Sequence, residues 1–348
     1  MPAQAADTLE TMKAIALTRY LPITDPDSLV DIELPDPIPG PFDILVRVES
    51  VSVNPVDTKV RRPKAKVENS PRILGWDAAG TVEAVGHAVT RFNPGEKVYY
   101  AGDITRPGCN AQLQVVDERI AGKMPLRSSF SEAAALPLTA ITAWEALFEQ
   151  LQISRTGKDQ GKTLLIIGGA GGVGSIAIQL ARLAGITVIA TASRPESQQW
   201  VKELGSMHVI NHHQELLPQI RKCGFEMVDM IANFSDTDRY WNNMAELIRP
   251  RGRIVSIVEN AQPLDLNTLK SKSAVFAWEF MFTRPMYQTP DMIRQGELLD
   301  ELARLVDSGE IRSTLTKTLS PICAETLRQA HAQLESGSTI GKLVISGW

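Results

Sequence analysis

A glycine-rich turn between an apolar run and a helical pattern constrains the fold more than any other feature of the chain. The apolar residues 163–167 predict a buried strand, and residues 175–184 repeat with helical periodicity. The segment between them has G-x-G-x-x-G spacing and contains Gly169, Gly171, Gly172, Val173 and Gly174. In such a turn the first glycine makes the tight bend, the second lets a pyrophosphate approach the helix N-terminus, and the third lets the helix pack on the strand. The pattern predicts a dinucleotide-binding turn.

The end of the next strand indicates which dinucleotide is bound. The helix is followed by Gly185 and a strand near 187–192, which completes a β-α-β unit of about 30 residues. Where an NAD-specific fold presents an acidic residue to the ribose hydroxyls, this chain has Ser193 and Arg194. A hydroxyl and a guanidinium suit a 2′-phosphate, which a carboxylate would repel, so NADP(H) is favoured over NAD(H). The alternative is that both residues belong to a solvated polar loop.

Length, charge and cysteine spacing restrict the class of protein. A length of 348 residues suggests about two domains, and a formal charge of -4 argues against a nucleic-acid partner or an anionic membrane surface. No apolar run is long enough to span a membrane, and the first ten residues lack both a basic n-region and an apolar h-region. We therefore expect a cytoplasmic protein without a membrane partner. The cysteines Cys109, Cys223 and Cys323 have no C-x-x-C spacing and are expected to be ordinary thiols.

The periodicity changes along the chain. The first third predicts a small β domain, with β-like runs at 13–17, 44–53, 78–85, 97–101 and 111–116. From residue 131 to about 282, helices and strands alternate, which predicts a parallel sheet covered by helices on both faces. The predicted helices are 131–149, 175–183, 195–204, 215–222 and 236–247, and the predicted strands are 163–167, 187–192, 208–210, 227–232 and 253–257. After Pro285 the pattern is helix, strand, helix, strand.

Motifs along nearly the whole chain resemble those of the medium-chain dehydrogenase/reductase superfamily, specifically its zinc-free quinone oxidoreductase-like branch. The matching segments are 12–15 (MKAI), 53–57 (VNPVD), 74–82 (LGWDAAGTV), 94–98 (PGEKV), 137–147 (PLTAITAWEAL), the glycine turn and Gly341-Lys342. The resemblance implies an α/β protein in which a Rossmann doubly wound parallel sheet is inserted into a GroES-like β-rich catalytic domain. It places the catalytic domain at residues 1–135 and 284–348 and the NADP(H)-binding domain at 136–283, with the cofactor in the cleft between them.

The positions that hold catalytic zinc in the alcohol dehydrogenases of this superfamily are different here. The corresponding residues are Asn54, Trp76 and Leu138, and Val56 stands where a proton-relay hydroxyl is expected. A tryptophan and a leucine offer no lone pair to Zn²⁺, and an amide is a poor ligand beside thiolate or imidazole. We therefore expect no metal, and without a Lewis acid the oxidation of simple alcohols is disfavoured.

Hydride transfer to a conjugated acceptor needs no metal, because conjugation carries the incoming charge to a distant oxygen that hydrogen bonds can stabilise. The resemblance implies that Asn54 and Asp57 face the substrate end of the cleft, that Thr142 packs on the nicotinamide, and that Lys342 belongs to the cofactor site. On residue type alone, Asn54 could instead start a short helix, and Thr142 could bond back to the preceding helical turn. Trp76 suits a substrate-pocket wall and core packing equally well.

The leading functional interpretation is an NADPH-dependent reductase of quinones or of α,β-unsaturated carbonyls such as enones and enals. A zinc-dependent alcohol dehydrogenase and a non-catalytic NADPH-binding sensor remain as alternatives. The candidate proton donors are Asp57, Tyr99, Tyr287 and water. The apolar run 275–282 predicts an edge strand that joins a homodimer interface.

Overall fold

The structure is a computed structural model that describes residues 10–348. The first nine residues lie outside the described residues. They include most of the ten-residue segment that lacks the n-region and h-region of a targeting signal. The strands are β1 (Thr11–Tyr20), β2 (Val30–Pro35), β3 (Asp43–Ser52), β4 (Lys64–Ile73), β5 (Ala78–Val85), β6 (Lys97–Tyr100), β7 (Leu113–Asp117), β8 (Ala121–Lys123), β9 (Thr163–Ile167), β10 (Thr187–Thr191), β11 (His208–Ile210), β12 (Val228–Asn233), β13 (Ile248–Ser256), β14 (Val275–Trp278), β15 (Leu315–Leu319) and β16 (Lys342–Ser346).

The helices lie mostly in the middle of the chain and near its C-terminal end. They are α1 (Pro55–Arg61), α2 (Phe130–Ala134), α3 (Pro137–Trp144), α4 (Gly172–Leu183), α5 (Pro195–Leu204), α6 (Leu216–Lys222), α7 (Thr237–Leu247), α8 (Thr283–Tyr287), α9 (Ile293–Asp307) and α10 (Ala324–Glu335), and a π-helix spans Glu145–Gln150. Within residues 10–348, no helix combines the length and the apolar composition that a membrane span requires.

The chain forms two compact units. Unit 1 contains the described residues up to Pro137 together with Phe282–Asp307 and Leu315–Trp348, and unit 2 contains Leu138–Met281 and Ser308–Thr314. The short segment 308–314 therefore groups with unit 2, whereas the sequence-based domain limits place it in the C-terminal return to the catalytic domain.

Unit 2 is built on a parallel six-stranded sheet. Its strand order is β11-β10-β9-β12-β13-β14, and every neighbouring pair is parallel. Leu165 in β9 and Ile231 in β12 are fully buried against apolar residues of α6 and α7, including Ile220 and Met244. The predicted parallel sheet with intervening helices is confirmed, and this order puts β9, with the glycine turn at its end, in the middle of the sheet.

Unit 1 contains two mainly antiparallel sheets. One is the three-stranded sheet β2-β1-β4, and the other follows the order β15-β16-β3-β5-β6-β8, with β7 also paired to β3. Within the larger sheet, β16 comes from the C-terminal end of the chain and pairs antiparallel with β3 from the N-terminal part. The C-terminal tail is thus part of the same β-rich unit, as the GroES-like architecture predicts.

Three chain segments converge at one end of the larger sheet of unit 1. Val344 of β16 is paired with Ser52 of β3, and Val51 is paired with Ala78 of β5. The backbone N–H of Ser52 also donates to the carbonyl of Asp77 at 2.9 Å. Because these strands are antiparallel, the residues after β3 lie beside the start of both β5 and β16. This register positions the polar side chains described below.

Two local predictions are wrong. The single helix predicted over 131–149 is instead α2, α3 and the π-helix, with a break before Pro137. Proline removes an N–H donor and disfavours the helical conformation of the residue before it, so a new helix begins there. The prediction also misses β2, β4 and β8. Only Ile73 is buried in β4, so its sequence has no apolar alternation, and the strand is formed by pairing with β1.

Candidate active site

The glycine turn of unit 2 follows β9 directly. Gly168, one residue before the G-x-G-x-x-G pattern, has a φ of +88°, and its N–H donates to Thr191 Oγ1 at 2.9 Å. A Cβ on Gly169 would lie 2.8 Å from the Cβ of Ala190, so this glycine allows β10 to pack closely. Gly169 lies within the turn, and the left-handed conformation that favours glycine is at Gly168, one residue before the motif.

The second and third motif glycines differ in their surroundings. A Cβ on Gly171 would meet only one atom, the Gly168 carbonyl oxygen at 3.7 Å, whereas a Cβ on Gly174 would lie 2.3 Å from the same oxygen. Gly171 is the N-cap of α4, and Gly172 and Val173 in its first turn are half-buried. The first N–H groups of a helix have no acceptor within the helix. Open space beside such N–H groups fits a dinucleotide pyrophosphate.

Ser193 and Arg194 follow β10 at the same edge of the parallel sheet. Ser193 is half-buried and Arg194 is exposed, and α5 begins at the next residue. The backbone N–H of Arg194 donates to Ser197 Oγ at 3.1 Å, which fixes the chain at the helix start. The two positions after Ala192 therefore carry a hydroxyl and a guanidinium, and the nearest carboxylate in the sequence is that of Glu196 in the first turn of α5.

A buried polar network in unit 1 surrounds Asn54, the N-cap of α1. Its Nδ2 donates to Asp77 Oδ2 at 3.0 Å, and its backbone N–H donates to Asp57 Oδ2 at 2.7 Å. The Lys342 ammonium donates to Asn54 Oδ1, donates to the Val53 carbonyl at 2.9 Å and pairs with Asp77 Oδ2 at 3.1 Å. These four polar side chains are all buried. Asn54 thus starts a short helix and also joins an ionic network.

Burial governs the titration of the network. It raises the pKa of Asp57 to about 7, against the opposing effects of the Asn54 N–H and the Lys342 charge. Burial also lowers the pKa of Lys342, and the Asp77 carboxylate opposes this shift. The thiol of Cys109 lies 3.6 Å from the Asp77 carbonyl oxygen, and burial raises its pKa, so it is held as an unreactive thiol.

Asp77 is a residue of this network to which the sequence analysis gives no role. It is fully buried and lies within the otherwise apolar segment 73–79, directly before β5. A charged residue in such a segment is an informative signal, because an aspartate is almost never fully buried unless it is paired. Its partner Lys342 is far away in the sequence, and only the pairing of β3 with both β5 and β16 shows that the two meet.

The remaining predicted site residues lie in protein interiors. Trp76 is 1% exposed and packs edge-to-face on Phe282 within unit 1, with 6.1 Å between ring centroids. In unit 2, Thr142 is buried on α3 and its hydroxyl donates to the Leu138 carbonyl at 2.7 Å, one helical turn earlier. Trp76 therefore packs in the core, and Thr142 bonds back to the preceding helical turn. The predicted contacts of Trp76 with substrate and of Thr142 with nicotinamide stay predictions.

Two candidate proton donors differ sharply in exposure. Tyr99 is fully buried and its hydroxyl donates to the Leu299 carbonyl at 2.6 Å. Tyr287 is 74% exposed at the end of α8. The Tyr99 hydroxyl already has an acceptor inside unit 1, so it is poorly suited to proton delivery.

The residues at the zinc-ligand positions do not fit a zinc ion. The side-chain oxygen of Asn54 already accepts a hydrogen bond from an ammonium group. The indole nitrogen of Trp76 donates hydrogen bonds but has no free lone pair for a metal, and the side chain of Leu138 has no atom that can ligate a metal. Within residues 10–348, no group of three or more His, Cys, Asp or Glu side chains is arranged to hold a metal ion. Structural and catalytic zinc sites need at least three such protein ligands.

Comparisons with known proteins agree with this architecture. Residues 40–144 match the alcohol dehydrogenase GroES-like domain family, and residues 172–294 match the zinc-binding dehydrogenase family. A zinc-type alcohol dehydrogenase-like protein of Staphylococcus aureus (strain MSSA476) is 46% identical over 336 residues, which are 96% of this chain and 100% of that protein. A quinone oxidoreductase of Pseudomonas aeruginosa is 30% identical over 322 residues, which are 88% of this chain and 92% of that protein.

A solved structure is also closely similar. A protein of Rhizobium etli CFN 42, provisionally described as a zinc-dependent alcohol dehydrogenase, is 50% identical with a TM-score of 0.94, covering 98% of this chain and 99% of that one. The fold and these relatives together define an oxidoreductase. The chain belongs to the medium-chain dehydrogenase/reductase superfamily, in its quinone oxidoreductase-like branch.

Proposed function

We propose that this protein is an NADPH-dependent reductase that acts on quinones or α,β-unsaturated carbonyls without a metal. The observation that carries the proposal is the state of Asn54, which stands at a zinc-ligand position but has its side-chain oxygen bonded to the Lys342 ammonium. An amide, an indole and an aliphatic side chain at the three ligand positions leave hydrogen bonds and charges as the means of stabilising an acceptor oxygen.

The cofactor part of the proposal rests on the glycine turn. When bound, NADPH supplies the hydride. The open position at Gly171 and the N-terminus of α4 would receive the pyrophosphate, and Ser193 and Arg194 would bind the 2′-phosphate. Positions 193 and 194 carry no acidic residue, so the ribose-binding carboxylate that would repel a 2′-phosphate is replaced there by a hydroxyl and a guanidinium.

The acceptor part assigns roles to three residues. Asn54 would donate an N–H to the acceptor oxygen, where negative charge develops, and Asp57 would hold Asn54 through its backbone N–H or deliver a proton through a water molecule. Thr142 would contact the nicotinamide face. The pKa of Asp57, which burial raises to about 7, supports its use as a proton source near neutral pH.

The proposal is tested with purified protein and a substrate panel. Quinones, enones and enals are offered with NADPH and with NADH, simple alcohols are offered with NADP⁺, and zinc is quantified by plasma emission spectrometry. We expect turnover of at least one conjugated acceptor with NADPH, unchanged activity in EDTA, and no stoichiometric zinc. Alcohol oxidation together with one zinc per chain would establish a zinc-dependent alcohol dehydrogenase instead. Tight NADPH binding without any turnover would favour the sensor.

We also propose that the protein is a homodimer joined through β14. This strand is at the edge of the parallel sheet, and Val275, Trp278 and Phe280 in and beside it are 38%, 44% and 47% exposed. An apolar edge strand without a partner promotes aggregation, and a second copy of the chain would cover it. Light scattering should give about twice the 38.2 kDa chain mass at micromolar concentration. A mass near that of one chain would exclude the dimer.

A further inference from the structure

The Lys342 ammonium is saturated by partners of its own unit. An ammonium has three N–H donors. Here they meet three acceptors, namely the Val53 carbonyl at 2.9 Å, Asn54 Oδ1, and Asp77 Oδ2 at 3.1 Å. The residue is 3% exposed, and the contacts of its ammonium group are with these three acceptors. No donor of Lys342 is left for a phosphate or a ribose.

These partners fix the orientation of the Asn54 amide. An ammonium cannot accept a hydrogen bond, so the amide atom facing Lys342 must be the oxygen. The atom facing the Asp77 carboxylate, 3.0 Å from Oδ2, must then be Nδ2. Each ionic partner alone would give this assignment, and the two agree. Asp77 takes one Nδ2 hydrogen, and the second remains the donor that the proposed reaction requires.

The cation also changes the strength of that donor. A positive charge at an amide oxygen draws electron density from the nitrogen, which makes the N–H groups stronger donors, and chains of hydrogen bonds strengthen one another in this way. The effect is large where the dielectric is low, and all of these side chains are buried. Asp77 has a second effect, because its carboxylate favours the charged form of an ammonium that burial would otherwise neutralise.

We propose that Lys342 and Asp77 are positioning residues of the reductase: Lys342 polarises the Asn54 amide from its oxygen, and Asp77 orients that amide and keeps Lys342 charged. The free Nδ2 hydrogen of Asn54 is then a charge-assisted donor to the acceptor oxygen. This inference rests on the proposed function, and it gives Lys342 a role that acts through Asn54 in place of the cofactor contact implied by the family resemblance.

A double-mutant cycle tests whether Lys342 acts through Asn54. The variants are Lys342→Gln, Asn54→Ala and the two combined, with Lys317→Gln as an exposed lysine control on neighbouring β15. Glutamine retains a neutral donor for Asn54 Oδ1 and removes the charge. We expect kcat for the acceptor to fall about tenfold in Lys342→Gln, with no further loss when it is added to Asn54→Ala. The Kd for NADPH should stay at the wild-type value in both.

Two results of the cycle would overturn the inference. If the losses in kcat multiply, Lys342 acts independently of Asn54. If Lys342→Gln weakens NADPH binding about tenfold or more while kcat is kept, Lys342 is a cofactor residue. If the single variant fails to fold because Asp77 is left unpaired, Lys342→Gln combined with Asp77→Asn removes both charges, and the same loss of kcat is expected.

An activity-independent measurement separates this inference from the proposed function. Nuclear magnetic resonance of the Asn54 side-chain amide should show its protons moving upfield in Lys342→Gln, and unchanged in Lys317→Gln. An unchanged Asn54 signal in an active enzyme would overturn the polarisation alone. Absence of turnover in the wild-type protein would overturn the proposed function, and with it the catalytic role of this network, even if the amide shift is found.

Discussion

The polar network of unit 1 and the glycine turn of unit 2 differ in how their polar groups are hydrogen-bonded. In the network, Asn54, Asp77 and Lys342 are buried and bonded to one another. In the turn, Gly171 has open space beside it, and the first N–H groups of α4 have no acceptor within the helix. Asn54, Asp77 and Lys342 find their partners within the protein, whereas the turn has the space that a bound pyrophosphate would need.

This difference predicts how each region responds to substitution. Groups in a buried, hydrogen-bonded network depend on one another, so a change at one residue affects both the fold and the chemistry. An exposed residue beside an open turn affects ligand binding with little effect on stability, because surface substitutions usually change stability by less than about 0.5 kcal/mol. The two regions should therefore separate cofactor affinity from catalytic rate.

A buried pair of acids in unit 2 sharpens the contrast. Its negative charge is reduced by a bound proton, whereas the charge of Asp77 in unit 1 is balanced by the Lys342 ammonium. Glu145 and Glu279 are 4% and 3% exposed and share a hydrogen bond, and Gln150 Nε2 donates to Glu279 at 3.2 Å. Burial, and secondarily the charge of Glu145, raises the pKa of Glu279 well above its usual range. The folded protein thus holds a proton that the unfolded chain has lost at neutral pH.

The contribution of this pair to the free energy of unfolding should consequently fall as the pH rises above the ordinary glutamate pKa of about 4.3. The pair binds one more proton in the folded state than in the unfolded state in this range, which contributes a slope of up to about -1.4 kcal/mol per pH unit. Glu279→Gln should flatten this dependence and raise stability at pH 8, measured by urea unfolding at several pH values. The exposed control Glu226→Gln should keep the wild-type slope, and an unchanged slope in Glu279→Gln would show that the pair is ionised.

Two glycines of the turn should respond differently to a single methyl group. In Gly174→Ala the new Cβ would lie 2.3 Å from the Gly168 carbonyl oxygen, which is backbone and cannot move away cheaply. We expect a loss of about 1–3 kcal/mol in the free energy of unfolding. Gly171→Ala meets only one atom at 3.7 Å, so it should fold normally and weaken NADPH binding. Equal stability of the two variants would contradict this reading of the turn.

Arg194→Ala should change cofactor preference and little else. A charge-assisted hydrogen bond to the 2′-phosphate contributes about 1.5–3 kcal/mol, so NADPH should bind about ten- to a hundredfold more weakly, with the Kd for NADH unchanged. Fluorescence titration with both cofactors measures this. Arg221→Ala, which removes another exposed arginine of unit 2, is the control. Equal affinity of the wild-type protein for NADPH and NADH would exclude a 2′-phosphate site at Ser193 and Arg194.

The turn could be predicted from the sequence because it is local. The residues that form β9, the bend and α4 are consecutive, and their periodicity and glycine spacing carry the geometry. The exception is Gly168, which makes the left-handed bend although it lies outside the motif. A pattern gives the residue types of a turn, but which glycine has positive φ depends on how β10 packs against it.

The network could be predicted only in part. Asn54 and Asp57 follow from the motif, but the pairing of Asn54 with Lys342 joins residues 288 positions apart. That contact depends on the antiparallel pairing of β3 with β16, which residue spacing alone does not reveal. For Asp77, the apolar neighbours indicate a buried, paired carboxylate, but the identity of its partner Lys342 depends on the same strand pairing. Strand β4 cannot be predicted from periodicity, because it is held by pairing with β1 and only Ile73 in it is buried.

In the proposed reductase, Asn54 supports the chemistry and the glycine turn binds the cofactor. The most direct test is the steady-state kinetics of Asn54→Ala with a conjugated acceptor, combined with NADPH titration and an unfolding measurement to confirm that the variant is folded. We predict that kcat/KM falls by roughly 10-fold to 1,000-fold, the effect of removing one donor directed at developing negative charge, and that the Kd for NADPH is unchanged. A folded variant that keeps its kcat/KM, or that loses NADPH affinity in proportion to its rate, would contradict this account.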